Sequence, residues 1–226
     1  MTQKSSQPIM MIKGGKGGVG KSTVCMATLD ILGPSAVLIE TDTTNPDVAK
    51  AYSKTNPTRA LNLDERAGWI DLVNLAAGTK ETLVINGAAR AVEAPENAAI
   101  LREALEELDR DLIVLFVMSR TRDSLELLAD HRHILPANVA QTWAVLNGHF
   151  GTPDRFTRYM ESNQRKEIEA QTGTLVFPDL AERVLDQLNH ERLTIAEAAD
   201  YMPIGNRMEL QRWQREAHNE LRKAIG

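Results

Sequence analysis

A glycine- and lysine-rich stretch near the amino terminus has the clearest potential for chemistry in this sequence. Residues 13–22 read KGGKGGVGKS and contain the phosphate-binding pattern G-x-x-x-x-G-K-[ST], framed by Gly15 and Gly20. The glycines allow the backbone to curl so that its N–H groups point at phosphate oxygens. Lys21 would neutralise the β- and γ-phosphates of a nucleotide, and the Ser22 hydroxyl would ligate Mg²⁺. The residues predicted to bind ATP in this stretch are Gly15, Lys16, Gly17, Gly18, Val19, Gly20, Lys21, Ser22 and Thr23.

A second group with chemical potential follows the apolar run 36–40. Glu40-Thr41-Asp42 stands at its end, and a carboxylate at the carboxyl end of a parallel strand lies beside the phosphate crevice. We predict that Asp42 is a second Mg²⁺ ligand next to Ser22. A helix N-cap or an Asx-turn is the alternative for Asp42, and capping is the favoured role of Asp47, because Asn45-Pro46-Asp47 is typical of a helix start.

The elements that must position these groups alternate between strands and helices. Residues 9–12 form an apolar run typical of a buried strand, and 22–32 form the helix that the phosphate-binding pattern requires. Further apolar strands are predicted at residues 36–40, 82–85, 112–118, 141–146 and 174–177, with helices between them. This alternation predicts an α/β fold with a doubly wound, mostly parallel sheet and helices on both faces.

The carboxyl-terminal part of the chain is predicted to be helical. We treat residues 1–226 as one domain in which 190–226 form a C-terminal extension packed on the rest. The apolar stripe of the last predicted helix, 207–225, consists of Leu210, Trp213, Ala217 and Leu221. Its polar face mixes acidic and basic residues, which suits packing on the domain better than binding an anionic bilayer. A partner-binding helix is the alternative.

Bulk composition narrows the class of protein. The chain has 226 residues, a formal net charge of −5 and 42% hydrophobic residues, which is typical of a soluble globular protein. It has no apolar stretch long enough for a bilayer and no signal peptide, so we expect a cytoplasmic protein without integral membrane insertion. Cys25 is the single cysteine, which excludes an internal disulfide.

The glycine-rich stretch also carries a second lysine, Lys16, that the general pattern does not require. With it, KGGKGGVGKS resembles the deviant P-loop (Walker A motif) of the ParA/MinD superfamily of ATPases. The resemblance implies a homodimer in the ATP state, in which Lys16 reaches the phosphates of the partner's nucleotide. It also implies that Asp42 orients the attacking water or acts as its base. The residues alone equally allow Lys16 to be a solvated loop lysine.

At one motif, the sequence differs from the pattern of that family. Where the family has a strand ending in aspartate, followed by a small residue, Pro, Ala and Gly, this chain has Asn86, with Ala88 and Arg90 replacing the Pro and Gly. The aspartate would hold a Mg²⁺-bound water, and asparagine offers only one neutral oxygen there. Either the enzyme hydrolyses slowly as a nucleotide-gated switch, or Asp42 and Ser22 carry the metal and turnover is near normal.

Two further positions resemble the family's adenine-binding elements. Asn147 follows the apolar strand 141–146, where the family uses an asparagine amide to read the adenine ring. Asn147-Gly148 is also an ordinary turn signal, which is the alternative. Pro178 ends the strand 174–177, like the family proline that packs against the base.

Arginines are concentrated in two other segments. Arg120 and Arg122 follow the strand 112–118 and are interpreted as solvated loop arginines, which are the commoner case; contact with phosphate or a partner is the alternative. Residues 153–171 mix basic and aromatic side chains, and we predict a basic-leaning helix on the outer face of the sheet. Contact of this helix with DNA is one alternative, diluted by three glutamates in the same segment.

Together these features predict a weak, partner-stimulated ATP hydrolase of the ParA/MinD type. It would bind Mg-ATP, dimerise, and use hydrolysis to switch its affinity for non-specific DNA or another surface, in plasmid partition or intracellular positioning. One alternative is a non-hydrolysing, nucleotide-gated adaptor that binds a protein through its C-terminal helix. Another is a metabolic P-loop enzyme of the biotin- or cobyrinate-synthesis type, for which Lys16 would have no obvious use.

Overall fold

The computed structural model describes residues 7–15, 17–88 and 95–226. Within these residues, seven strands form one sheet in the order β3-β2-β4-β1-β5-β6-β7, and every neighbouring pair is parallel. The strands are β1 (Ile9–Gly14), β2 (Val37–Glu40), β3 (Thr58–Ala60), β4 (Leu83–Asn86), β5 (Leu112–Met118), β6 (Ala140–Asn147) and β7 (Thr174–Phe177).

Helices connect the strands, as parallel pairing requires. They are α1 (Lys21–Leu32), α2 (Asp47–Tyr52), α3 (Arg66–Gly78), α4 (Pro95–Leu108), α5 (Arg122–Ile134), α6 (Thr157–Met160), α7 (Asn163–Glu169), α8 (Glu182–Glu191), α9 (Ile195–Tyr201) and α10 (Ile204–Ile225). Short 3-10 turns at Gly148–Phe150 and Pro153–Arg155 lead from β6 into α6.

The central strand β1 lies between β4 and β5. After β1 the chain first builds β2, β3 and β4 on one side, and then β5, β6 and β7 on the other. A ligand crevice forms at the carboxyl ends of the strands where the winding reverses in this way. The topology therefore directs attention to the loop that follows β1.

Alternate residues of β1 enter different hydrophobic cores. Met10 and Ile12 face a core that includes side chains of α1, α2, α8, α9 and α10. Ile9 and Met11 face the opposite core, built with α3 and α4. A third cluster joins Phe116 of β5 to side chains of α5, α6 and α7 on that second face. Because helices cover both faces of a parallel sheet, the predicted doubly wound α/β fold is confirmed.

Two local predictions are wrong, and one strand was not predicted. The polar stretch after α2 contains the edge strand β3, whose three residues are too few and too polar to give an apolar signal. The predicted helix over 153–171 is instead a 3-10 turn, α6 and α7, because the Ser162 hydroxyl accepts a bond from Arg165 N and begins a new helix. Asp47 does not cap α2 but is its first residue, with Pro46 at the cap position.

Candidate nucleotide-binding site

Two glycines between β1 and α1 have backbone conformations that would suit a phosphate-binding loop. Gly18 and Gly20 have φ values of 77° and 98°, in the left-handed region that favours glycine. Gly20 also has no room for a Cβ, because the Asn147 side chain occupies that space. Helix α1 starts at Lys21, and its amino terminus presents backbone N–H groups and a partial positive charge to the crevice. Lys16 lies outside the described residues.

Asn147 holds this loop in place. Its Nδ2 donates to the Val19 carbonyl oxygen at 2.8 Å, and its Oδ1 accepts from His149 N at 3.1 Å. The side chain is 7% exposed. The turn proposed as an alternative for Asn147 is therefore present, and the same amide also fixes the phosphate loop to the end of β6. One amide hydrogen and one lone pair of Asn147 remain for a ligand.

Lys21 lies at the bottom of the cleft and is 8% exposed. Burial, assisted by the nearby charge of Lys13, lowers the pKa of Lys21 to about 8, while Asp42 opposes the shift. A buried ammonium group gains most from a ligand that supplies negative charge. The protein therefore holds Lys21 in an environment that phosphate would complete.

This pKa predicts that nucleotide binding is linked to proton uptake. Below pH 8 the free protein already carries a protonated Lys21, whereas above it the amine is neutral and must gain a proton to pair with phosphate. The number of protons taken up on nucleotide binding should rise towards one per site by about pH 9, and the affinity for nucleotide should fall up to about tenfold per pH unit above the pKa. Calorimetric titrations in buffers of different ionisation enthalpy measure the number of protons taken up. The Lys21→Arg variant stays charged, and equal uptake in both proteins would contradict the assignment.

Asp42 lines the same cleft as Lys21 and Ser22. Its Oδ1 accepts from Thr44 N at 3.1 Å and from Asn45 N at 2.9 Å, which is an Asx-turn. The turn and the functional position are thus compatible, because the turn orients the carboxylate at the mouth of the phosphate loop. Asp42 is half-buried and so accessible to a ligand.

Glu40 is a site residue that the sequence reasoning did not single out. It is fully buried, and its carboxylate accepts bonds from Asp42 N (3.2 Å) and Ala49 N (3.3 Å). Burial raises the pKa of Glu40, and these hydrogen bonds oppose that rise. The available signal was an acid directly attached to an apolar buried strand, where a side chain has to face the protein interior or the crevice.

Asn86 contacts Glu40 directly at the end of the neighbouring strand. Its Nδ2 donates to Glu40 Oε1 at 3.0 Å, so the amide is oriented with Oδ1 as the remaining acceptor. Asn86 is 3% exposed and lines the cleft with Lys21 and Asp42, and no donor among the described residues reaches its Oδ1. A buried carbonyl oxygen without a donor is costly, and a ligand-borne water would satisfy it.

The residues of this cleft fit Mg²⁺ bound together with a nucleotide. The ion takes one or two protein oxygens and completes its shell with phosphate and water oxygens. The Ser22 hydroxyl and the Asp42 carboxylate both line the cleft, which has a volume of about 350 Å³, and the open Oδ1 of Asn86 would accept from a metal-bound water. Within residues 7–15, 17–88 and 95–226 there is no group of three His, Cys, Asp or Glu side chains that could hold a metal alone.

A smaller cavity of about 120 Å³ continues from the phosphate loop. It brings together Asn147 and Pro178, the two residues predicted to contact adenine, with Leu185 and Trp213 as further walls. Trp213 Nε1 donates to the Pro178 carbonyl oxygen at 3.0 Å, so α10 fixes the proline. Gly18, Gly20 and Thr23 border both cavities, as expected if one ligand spans them.

No helix in the described part of the chain has the length and apolar character to cross a bilayer.

Comparison with solved structures identifies the fold as that of a P-loop NTPase. Chloroplast FtsY from Physcomitrella patens superposes with a TM-score of 0.53 at 12% identity, over 80% of this chain and 61% of FtsY. A nucleotide-binding protein from Archaeoglobus fulgidus, solved in complex with ADP, gives a TM-score of 0.46 at 11% identity, over 87% of this chain and 93% of that protein. The likeness to FtsY concerns the fold alone.

Sequence comparison is more specific. No family model matches the chain. Protein MobD from Acidithiobacillus ferrooxidans is 45% identical over 226 residues, which cover 97% of this chain and 99% of that protein. With this identity along almost its whole length, the chain belongs to the MobD family.

Proposed function

We propose that this protein is a cytoplasmic, ParA/MinD-like ATPase that binds Mg-ATP and hydrolyses it slowly. One observation carries the proposal: the cleft after β1 gathers Lys21, Ser22, Asp42 and Asn86 around a glycine loop of phosphate-binding geometry. Asn147 and Pro178 line an adjoining cavity, which would take the base.

The roles of the residues follow from their chemistry. Bound Mg-ATP would supply an electrophilic γ-phosphorus, with ADP as the leaving group. The loop amides and Lys21 stabilise the negative charge of the phosphates. Ser22 and Asp42 would hold the metal, and Asp42 would also orient the attacking water or accept its proton.

The buried pair of Glu40 and Asn86 supports slow hydrolysis rather than none. Asn86 contributes a neutral oxygen where the ParA/MinD family has a carboxylate. Glu40 accepts a hydrogen bond from Asn86 Nδ2 at 3.0 Å and so places a carboxyl group beside the same amide. The field of a carboxylate acts over such a short distance through a poorly solvated interior. In its ionised form, Glu40 would therefore partly replace, from the adjacent strand, the negative charge lost at position 86.

Dimerisation is the step through which the nucleotide would act. We propose that two chains enclose two ATP molecules, that Lys16 of each reaches the nucleotide of the other, and that hydrolysis releases the dimer. The nucleotide state then sets the affinity for non-specific DNA or another surface, in plasmid partition or intracellular positioning. A partner protein would stimulate the turnover.

Turnover of ATP by the wild-type chain and by Asp42→Asn tests the catalytic part of this proposal. Asp42→Asn keeps the size of the side chain and an oxygen for the Asx-turn, but loses the charge and the basicity. We expect kcat to fall at least ~100-fold, since positioned acid–base groups contribute about 10²- to 10⁴-fold. Asp130→Asn, an exposed carboxylate on α5, serves as the control and should leave kcat unchanged. Equal turnover in wild type and Asp42→Asn would contradict the role of Asp42.

A nucleotide-gated adaptor is the second candidate, and the neutral Asn86 is the observation that favours it. In that case the wild-type chain would bind ATP tightly, and its turnover would not exceed that of Asp42→Asn even with prolonged incubation. Its C-terminal helix would then dock the protein partner.

A further inference from the structure

A second cleft lies beside the phosphate loop, on the side away from β2. It has a volume of about 680 Å³ and opens to solvent. Its charged lining residues are all arginines, and its remaining wall includes one aromatic ring and the tip of the phosphate loop. We call it the arginine cleft and define it by Arg120, Arg122, Arg155, Arg158 and Phe150.

Two segments that are far apart in the sequence form this cleft. Arg120 and Arg122 follow β5, whereas Phe150, Arg155 and Arg158 follow β6. Because β5 and β6 pair in parallel and end side by side, the loops after them meet at the same edge of the sheet. Arg158 Nη1 lies 3.5 Å from the Arg120 carbonyl oxygen, which is a contact between the two walls.

The positive charge of the cleft is poorly compensated within the protein. Arg122 pairs with Glu126 at 2.7 Å, but both side chains are largely exposed, and Arg155 lies 3.9 Å from the exposed Asp154. No carboxylate among the described residues pairs with Arg120 or Arg158. Four guanidinium groups converging on one concavity of a chain with net charge −5 form a local positive field that attracts anions.

The combination of charge and ring indicates the chemical class of the ligand. Guanidinium groups bind phosphate oxygens through paired N–H donors. A phenylalanine on the wall of a basic groove offers a stacking surface for a base, which is the usual arrangement in sites for single strands. In a duplex the base faces are covered by their neighbours, so Phe150 would have nothing to stack on. From this geometry we propose that the arginine cleft binds single-stranded nucleic acid.

This inference goes beyond the proposed function, and nucleic-acid binding in the cleft is measured without ATP. The probe is a fluorescently labelled oligothymidine of about 20 nucleotides, which is longer than the ~4–16 nucleotides that one OB fold binds. Fluorescence anisotropy gives the affinity at several salt concentrations. A duplex of equal length and a labelled glutamate-rich peptide are measured in parallel.

Two double variants distinguish binding in the arginine cleft from a general effect of net charge. Arg120→Ala combined with Arg158→Ala should weaken oligothymidine binding at least ~10-fold and lower the salt slope by about 0.7 for each lost phosphate contact. The matched control combines Arg215→Ala with Arg222→Ala, which removes the same charge from exposed positions of α10. It should retain both the affinity and the slope.

The aromatic wall provides an independent readout. Phe150→Ala should weaken binding about 5-fold or more, since stacking on an aromatic side chain has effects of that size per base. Phe150→Tyr keeps the ring and should restore the affinity. All arginines in the pairs are exposed, so folding is expected to survive; should the first pair unfold, Arg122→Ala with Arg155→Ala replaces it.

Three results would overturn the proposal. One is an equal loss of affinity in the α10 control, because binding would then reflect net charge alone. Another is a duplex that binds as tightly as the single strand, with the same dependence on Arg120 and Arg158. The third is selective binding of the glutamate-rich peptide, which would make the cleft a site for an acidic protein segment.

Discussion

Replacing Lys21 with methionine is expected to weaken ATP binding at least ~100-fold, while the free protein remains as stable as the wild type or becomes more stable. The loss follows from charge-assisted hydrogen bonds to phosphate, each contributing about 1.5–3 kcal/mol. The free protein should not lose stability, because a buried ammonium group is costly when no phosphate is bound, as the Lys21 pKa of about 8 indicates. Methionine keeps the length of the side chain without the charge.

Calorimetry and thermal unfolding with and without ATP measure the two effects. In Lys21→Met the ATP-induced increase in Tm should disappear, whereas the Tm of the nucleotide-free protein should not decrease. Lys54→Met, at an exposed position after α2, is the matched control and should behave like the wild type. A large decrease in the Tm of nucleotide-free Lys21→Met would mean that Lys21 is primarily structural.

Truncating Trp213 to alanine is expected to destabilise the fold by about 3–5 kcal/mol, as for other buried aromatic residues. Trp213 is 1% exposed, and its Nε1 donates to the Pro178 carbonyl oxygen. Its ring packs edge-to-face with that of Phe177, with the ring centroids 5.6 Å apart. The Tm should fall by roughly 10 °C for a chain of this size. Because Pro178 loses its support, ATP affinity should fall as well.

Trp213→Phe distinguishes the contribution of ring packing to stability from that of the hydrogen bond. It keeps a ring against Phe177 and should cost less than the alanine variant, with the lost hydrogen bond contributing about 1 kcal/mol. Tyr201→Ala removes a ring that is 74% exposed and should change stability by less than about 0.5 kcal/mol. A Tm for Trp213→Ala that equals that of Tyr201→Ala would show that α10 contributes little to the core.

Much of the sheet could be predicted because buried parallel strands are continuous apolar runs. Residues 112–118 were predicted as a strand, and β5 has these bounds. The strand β3 was missed because it lies at the edge of the sheet, where Arg59 and Ala60 are exposed and no burial pattern forms. The helices after β6 were merged in the prediction because caps such as Ser162 interrupt a helix without an apolar signal.

The phosphate loop was predictable because its chemistry is local in the sequence. The contacts that hold this loop are not local, because the hydrogen bond between Asn147 and Val19 joins residues 128 positions apart. The position of Glu40 in the site is not predictable from its own segment for the same reason, since it depends on a hydrogen bond from Asn86 in another strand. The arginine cleft likewise exists only because β5 and β6 end together. The boundary of the C-terminal extension at residue 190 stays a prediction.

The most direct test of an ATP-gated dimer is the molar mass of the purified chain by light scattering. With a non-hydrolysable ATP analogue and Mg²⁺ we expect twice the chain mass of 25.0 kDa, and with ADP the single chain. Lys16→Ala should still bind the analogue but remain monomeric. A wild-type chain that is saturated with the analogue and still has a mass of 25.0 kDa would contradict the account.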